Sequence, residues 1–189
     1  DLIDSIKEKY KAVNPLLFFY DQVKKQNWNE EWEKNLQPII VDDRCLIRAE
    51  FHKIEKQYPY EIIITPKMSF GTGHHQTTYL MIQSQLDIDH TNKRVMDAGC
   101  GTAILSIMAS KLKAKVVEAF DIDEWSVING TENIQNNHCQ NIHIHQGKID
   151  DMKFEGKFDL ILANINKNIL LSEMKSYANY LDAGGQLLI

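Results

Sequence analysis

Apolar and polar positions in the second half of this chain follow the periods of strands and helices in turn. Short runs rich in apolar residues lie at 94–97, 116–121, 141–146, 158–164 and 186–189. Between them, apolar residues recur every three or four positions, as on one face of an amphipathic helix. Strands that alternate with helices predict a parallel sheet with helices on both faces, and hence an α/β fold.

The same periodicity places the helices. They are predicted at 104–112, 124–137 and 169–181, with a turn at 183–185 before the last strand. In the second helix Trp125, Ile128 and Ile134 share the apolar face. Each strand is therefore expected to be covered by a helix and joined to it by a short turn.

The first third of the chain is organised differently. An amphipathic pattern at 2–13 and an apolar segment at 16–23 predict one helix and one strand, which cannot bury both faces alone. Residues 1–26 are therefore expected to be the remnant of a small α/β domain, for which the family resemblance given below implies a role in recognising the substrate. Residues 27–65 are expected to be a linker, and residues 66–189 the ligand-binding domain.

The linker itself contains a predicted helix and short strands. The helix at 29–36 carries Trp28 and Trp32 on one face, which are expected to anchor the linker to the next domain. Strands are predicted at 39–41, 45–51 and 60–65, with antiparallel pairing. After them, Thr77 or Thr78 is expected to cap a helix that runs through Leu86.

The turn after the first buried strand is the candidate ligand site. Gly99 and Gly101 follow Asp97 and let the backbone turn sharply and approach a ligand closely. The next helix directs free N–H groups at the same place. Asp121 ends the following strand, about 20 residues on, where an acid can bind ribose hydroxyls. The spacing predicts a nucleoside cofactor, although a turn that only packs strand against helix needs similar glycines.

The type of nucleoside depends on the rest of the turn. Ile104 stands where a dinucleotide fingerprint has Gly or Ala, and no Lys or Arg lies between residues 98 and 110. The P-loop pattern is absent as well. A ligand that has a ribose but no phosphate fits best.

Composition narrows the possible partners. The net charge of −5 and the lack of a Lys/Arg cluster argue against nucleic-acid binding, and no apolar run approaches the roughly 18 residues of a membrane span.

The chain's 3 widely spaced cysteines favour reduced thiols and a cytoplasmic location, with Cys100 as a packing residue. His143 and His145 alternate on one strand and lack a third ligand, as do His74 and His75, so no metal site is predicted.

Motifs around this turn resemble a known family. Asp97-x-Gly99-x-Gly101 followed by Asp121 resembles the cofactor motif of class I S-adenosylmethionine methyltransferases. The segment from Phe70 to Thr78, Phe-Gly-Thr-Gly-x-His-x-Thr-Thr, is similar to the signature of the ribosomal protein L-eleven methyltransferases, the PrmA family. Residues 27–32 and 163–165 (Ala-Asn-Ile) resemble that family too, whereas Thr102-Ala103 replaces its usual Ser-Gly.

The resemblance implies a function and a set of site residues. It implies a Rossmann-like sheet of seven strands, of which this chain is expected to lack the last two and the end of the fifth. It implies transfer of methyl groups from S-adenosylmethionine to lysine and/or N-terminal amines of a large-subunit ribosomal protein. The cofactor-binding residues implied are Phe70, Gly73, Thr78, Asp97, Gly99, Gly101, Asp121 and Asn164.

Two of these residues have finer implied roles. Asn164 is expected to orient the acceptor amine, and Thr78 to close over the cofactor. No side chain stands out as a general base, and Asp123 is expected to have no role in binding. A nicotinamide-dependent oxidoreductase and a non-catalytic cofactor- or protein-binding module remain the alternatives. The sequence leaves the oligomeric state open.

Overall fold

A computed structural model describes Lys9, residues 37–65 and residues 75–189 of the protein. The chain divides into two units, Asp1–Leu36 and Gln37–Ile189, and the fold is described for the second. The helices and strand predicted before residue 37, with Trp28 and Trp32, lie outside the described residues. Phe70, Gly73 and His74 also lie outside them.

The second unit alternates strands and helices after an opening group of strands. The strands are β1 (Ile39–Val41), β2 (Cys45–Arg48), β3 (Tyr60–Ile63), β4 (Arg94–Ala98), β5 (Val116–Asp121), β6 (Ile142–Gln146), β7 (Phe158–Leu162) and β8 (Leu181–Leu188). The helices are α1 (Gln76–Leu86), α2 (Ile104–Lys111), α3 (Glu124–Asn136) and α4 (Lys167–Tyr180), with a short 3-10 helix at Ile149–Asp151.

The larger sheet has 5 strands in the order β6-β5-β4-β7-β8, all parallel. This confirms the predicted α/β sheet. The chain order reverses between β4 and β7, and the carboxyl ends of these two strands flank the crevice where such sheets bind ligands. Asp97, Asp121 and Asn164 all lie at or just beyond strand ends on this edge.

The last strand differs from its prediction. Residues 183–185 do not form a turn outside the sheet, because the ladder between β7 and β8 begins already at Leu181, opposite Phe158. Gln186 then pairs with Leu160, so residues 182–185 face the single residue Asp159. The glycine-rich stretch is a bulge within an edge strand, a place where extra residues disturb few hydrogen bonds.

The smaller sheet, in the order β1-β2-β3, corrects a second expectation. β1 and β2 are antiparallel, as predicted, but β2 and β3 run parallel, with Cys45 opposite Tyr60. The reason is the connection 49–59, which returns the chain to the end of the sheet at which β2 began. This strand was predicted to continue to Phe51, but β2 ends at Arg48. Phe51 lies in the connection and is half-exposed.

One core joins the two sheets. Val41, Ile47 and Ile62 from the small sheet pack in the same apolar cluster as Ile82 of α1 and Ile107 of α2. α2 is buried at every position from Ile104 to Ala109, because it is covered on all sides by sheet and neighbouring helices. No helix in the described parts of the chain has the length and apolar character needed to cross a membrane.

α3 is rotated relative to its prediction. Trp125 and Ile128 are 73% and 48% exposed, although both were expected on the buried face with Ile134. The buried positions are instead Ser126, Asn129, Gly130, Asn133 and Ile134. A largely polar and small face is turned inward, which requires hydrogen-bonding partners inside the protein.

Candidate cofactor site

The glycine turn is fastened to the end of β5. The N–H groups of Gly99 and Cys100 both donate to the Phe120 carbonyl, at 2.9 and 3.0 Å. Gly99 and Gly101 have φ values of +66° and +52°, which favour glycine. A Cβ on Gly99 would collide with Cγ2 of Ile165, so this glycine is needed for packing against the end of β7 as well as for ligand approach.

Asp121 has a structural role in the same turn. Its Oδ2 accepts a hydrogen bond from the N–H of Gly101 at 2.9 Å, and its Oδ1 accepts one from the N–H of Asp123 at 3.0 Å. Each carboxylate oxygen can accept a further bond. Asp121 lines the cavity described below, so its remaining lone pairs are available to hydroxyl groups of a ligand.

Asp97 lies beneath the turn. It is 1% exposed, and its Oδ2 accepts hydrogen bonds from the N–H and Oγ of Ser106, at 3.0 and 2.6 Å. Its Oδ1 is buried and has no hydrogen-bond partner in the part of the chain that the structure describes. Burial raises the pKa of Asp97 to about 7, against the opposing effect of the Ser106 hydrogen bonds. Asp97 thus ties the end of β4 to the first turn of α2.

The departure at Thr102-Ala103 leaves a strained backbone. Ala103 is the N-cap residue of α2, with φ of 61° in the left-handed region and no side-chain capping bond. An L-residue with a Cβ is disfavoured there.

Cys100 lies within the same turn. It is 5% exposed, and burial raises the pKa of its thiol. The turn is therefore built from packed, non-nucleophilic residues.

A cavity of about 1150 Å³ opens over this turn. Of the predicted site residues, Gly99, Gly101, Asp121 and Asn164 line it. Thr78 and Asp97 do not, being 0% and 1% exposed behind its wall. The wall also contains residues that the sequence analysis did not assign, among them His75, Thr77, Ile122, Asp123, Lys148 and Glu173. For all of these except Glu173, which lies within α4, a position near a strand end or at a helix start was the available signal.

The start of α1 forms one side of the cavity and corrects a predicted cap. The N-cap residue is His75, and neither Thr77 nor Thr78 has that role. The Nδ1 atom of His75 accepts from the N–H of Thr77 at 3.3 Å and lies 2.7 Å from the Thr77 hydroxyl. An Nδ1 that accepts a hydrogen bond places the proton of the neutral ring on Nε2.

Thr78 connects this helix to the end of β7. The Nδ2 of Asn164 donates to the buried Thr78 hydroxyl at 3.3 Å, a contact between residues 86 positions apart. This fixes one side of the Asn164 amide. The Oδ1 of Asn164 is left for the cavity that the residue lines.

Asp123 has a structural role, and its expected lack of a role in binding stays a prediction. It is the N-cap residue of α3, and its Oδ2 accepts from the N–H and hydroxyl of Ser126, at 3.1 and 3.0 Å. It also lines the cavity, together with the carboxylates of Asp121, Asp150 and Glu173. This concentration of carboxylates suits a ligand that carries positive charge.

The strand histidines do not form a metal centre. His145 Nε2 lies 2.9 Å from Glu118 Oε2 on the neighbouring strand, whereas His143 is exposed. Among residues 37–65 and 75–189, no three His, Cys, Asp or Glu side chains come together as a metal site requires.

A parallel sheet ordered β6-β5-β4-β7-β8, with a glycine turn and acids at its strand ends, is the architecture of class I methyltransferases. The sequence model for the family "Ribosomal protein L11 methyltransferase (PrmA)" matches residues 1–189. The chain belongs to that family.

Individual relatives agree with this assignment. A ribosomal protein L11 methyltransferase of Bacteroides thetaiotaomicron is 47% identical over 173 residues, which cover 91% of this chain and 62% of the relative. One from Porphyromonas gingivalis is 49% identical over 164 residues, covering 86% and 57%. The chain thus spans about three fifths of the length of these relatives.

Solved structures support the fold. The crystal structure of ribosomal protein L11 methylase from Lactobacillus delbrueckii subsp. bulgaricus superimposes with a TM-score of 0.72 at 31% identity, over 80% of this chain and 78% of that one. The Trypanosoma brucei PRMT1 enzyme-prozyme complex with AdoHcy gives a TM-score of 0.52 at 22% identity, over 59% of this chain and 38% of that one. The second likeness concerns the fold alone.

Proposed function

We propose that this protein uses S-adenosylmethionine to methylate lysine and/or N-terminal amines of a large-subunit ribosomal protein. The observation that carries the proposal is the glycine turn, held by Asp121 and free of phosphate-binding cations, beneath a cavity lined by carboxylates. When bound, the cofactor supplies an electrophilic methyl group on a cationic sulfonium. The family membership of the chain supports the same reaction and acceptor.

The described residues fit this cofactor better than a dinucleotide. Ile104 is 1% exposed and fills the position where a dinucleotide site needs a small residue beside the pyrophosphate. Gly99 and Gly101 allow the backbone to approach a ligand closely, and Asp121 offers acceptors for ribose hydroxyls. The carboxylates on the cavity wall would favour the positive charges of a bound S-adenosyl cofactor. Phe70 and Gly73 remain predicted contacts outside the described residues.

Asn164 is proposed to orient the acceptor. With Nδ2 held by Thr78, its Oδ1 accepts a hydrogen bond from an N–H of the incoming amine and aims the nitrogen lone pair. A lysine amine, with an ordinary pKa near 10.4, must be neutral to react. Removal from water and the positive charge of the bound cofactor lower that pKa, against the opposite effect of the carboxylates on the cavity wall, and no dedicated base is proposed.

His75 does not serve as that base in this proposal. It lines the cavity, but its Nδ1 is used in capping α1, which leaves Nε2 as a proton donor in the neutral ring. The proton is therefore lost from the amine to water before transfer.

Charge and thiol chemistry support the proposed acceptor and setting, which the family resemblance implies. Carboxylates of Asp121, Asp123, Asp150 and Glu173 on the cavity wall attract the ammonium form of a lysine before it is deprotonated. We place the reaction in the cytoplasm, since Cys45, Cys100 and Cys139 are free thiols.

Binding and transfer can be tested separately. Isothermal titration of the chain with S-adenosylmethionine, S-adenosylhomocysteine and NAD is expected to show binding of the first two only. Tight NAD binding without a response to the methyl donor would instead indicate the oxidoreductase alternative. Mass spectrometry of ribosomal protein L11 incubated with the chain and donor then tests the acceptor, and cofactor binding without any methylation would favour a binding module.

A further inference from the structure

A stripe of asparagines runs along the buried face of α3. Asn129, Asn133 and Asn137 follow one another at intervals of four residues and are 2%, 0% and 8% exposed. Buried amides are costly unless their polar atoms are hydrogen-bonded. Asn133 and Asn137 have such bonds, described below, and therefore indicate that α3 lies against backbone groups that need partners, whereas Asn129 has none among the described residues.

Part of this backbone is the segment that leaves β3. Asn137 accepts from the N–H of Ile63 at 2.9 Å and donates to its carbonyl at 2.6 Å, and Asn133 accepts from the N–H of Thr65 at 2.8 Å. Four helical residues rise about 6 Å, and two strand residues advance about 6.6 Å. The stripe and the strand are thus in register, and Thr65 directly precedes the segment 66–74.

Asn133 makes a second contact that Asn137 lacks. Its Nδ2 donates to the carbonyl of Thr102 in the glycine turn at 3.0 Å. The buried side chain of Asn133 therefore joins the glycine turn to the segment that leaves β3. The other hydrogen bonds that hold the turn, described above, are accepted by Phe120 and Asp121 of β5.

Two neighbouring residues show that this contact is tight. Gly130, one turn before Asn133, has no side chain where α3 meets the turn, and a Cβ there would lie 3.2 Å from the Gly101 carbonyl. Ala103 follows Thr102 with its left-handed φ of 61°. The carbonyl that Asn133 binds is thus adjacent to the strained residue of the turn.

We propose that Asn133 is a positioning residue for cofactor binding. By holding the Thr102 carbonyl, it keeps the turn in the strained path in which Gly99 and Gly101 face the cavity. By holding Thr65, it fixes the distance from that turn to the strand exit. The proposal rests on the proposed function, because the affinity it concerns is that for the S-adenosyl cofactor.

Asn137 provides a matched control on the same helix face. Asn133→Leu and Asn137→Leu each remove buried hydrogen bonds to the β3 exit, and both are expected to lower the melting temperature. At a temperature where circular dichroism shows both variants folded, S-adenosylhomocysteine affinity should fall about tenfold or more in Asn133→Leu. It should change less than about twofold in Asn137→Leu. Asn133→Ser, a smaller change, provides the same comparison if Asn133→Leu does not fold.

A second substitution tests the link to the strained turn. Ala103→Gly relieves the left-handed strain, so it should restore part of the affinity lost in Asn133→Leu and have no such effect in Asn137→Leu. Equal affinity losses in the two leucine variants, or unchanged affinity in a folded Asn133 variant, would overturn the proposal. Failure of the unsubstituted chain to bind S-adenosylhomocysteine would instead refute the proposed function.

Discussion

The carboxylate of Asp121 accepts a hydrogen bond from the N–H of Gly101, 20 residues earlier in the chain, at 2.9 Å. The acid at the end of β5 is therefore part of the glycine turn as well as of the cavity wall. Ligand binding and turn geometry depend on the same side chain.

Asp121→Ala is expected to weaken S-adenosylhomocysteine binding by about 1–3 kcal/mol, the range for lost hydrogen bonds to a charged group. It should also lower stability, because the Gly101 N–H loses its partner. Asp123→Ala is the comparison: loss of the α3 N-cap should cost about 1 kcal/mol of stability with a smaller effect on affinity. Calorimetry and urea unfolding separate the two quantities, and equal affinity losses would argue for general electrostatics.

Thr78→Val should affect the orientation of Asn164 more than the cavity itself, because Thr78 is fully buried and bonds the Asn164 amide. Sinefungin, in which an amine replaces the methyl sulfonium, tests this orientation. Its affinity should fall about tenfold, corresponding to roughly 1.4 kcal/mol, while that of S-adenosylhomocysteine changes little. Thr78→Ser keeps the hydroxyl and should behave like the unsubstituted chain.

The ratio of the two affinities is the decisive measurement. Equal weakening of both ligands by Thr78→Val would instead make Thr78 a direct cofactor contact, the role that the family resemblance implies. Thr131→Val is a suitable control, since it removes a hydroxyl that donates within α3, to the Val127 carbonyl, and has no other hydrogen bond among the described residues.

Asp97 should make stability depend on pH. Its folded-state pKa of about 7 exceeds the ordinary value near 3.9, so the unfolded chain ionises first as pH rises. Stability is lost between about pH 4 and pH 7 and stays level above that range. Asp97→Asn should remove this pH dependence. The difference in unfolding free energy between the variant and the unsubstituted chain should therefore be up to roughly 4 kcal/mol more favourable to the variant at pH 7.5 than at pH 4. Urea unfolding at both pH values measures it, and parallel pH profiles for the two proteins would contradict it.

Asn129→Leu is expected to stabilise the protein. Asn129 is 2% exposed, and neither polar atom of its amide has a hydrogen-bond partner among the described residues. Leucine has the same number and branching of heavy atoms, and it removes a desolvation penalty of about 1–3 kcal/mol. Urea unfolding should show a gain for Asn129→Leu and a loss for Asn137→Leu. A loss in both variants would mean that Asn129 holds an ordered water or ligand.

The positions of the strands in the chain and the residues at their ends followed from the sequence because they depend on local signals. A buried parallel strand must be apolar throughout, so β4, β5 and β7 were readily recognised. Gly99, Gly101 and Asp121 lay at their ends and indeed meet at the cavity. Asn164 was predicted from the resemblance to the methyltransferase family, and it too lies just beyond a strand end and lines the cavity.

What the sequence could not give depends on partners distant in the chain. The direction of β3 relative to β2 is set by the connection 49–59, and apolar periodicity carries no direction. The rotation of α3 was missed because its inner face meets backbone groups of Thr102 and Thr65, for which Asn is a better partner than Trp125. The His75 cap was missed because His is not among the residues that usually cap helices.

The continuous burial of α2, from Ile104 to Ala109, has a consequence for hydrogen exchange. No face of this helix can reach solvent by a local opening, so its amides exchange with deuterium only when the whole domain unfolds. The glycine turn leads directly into that helix. A ligand held at its start therefore slows exchange throughout the core, and deuterium uptake by α2 reports the global unfolding free energy of the domain.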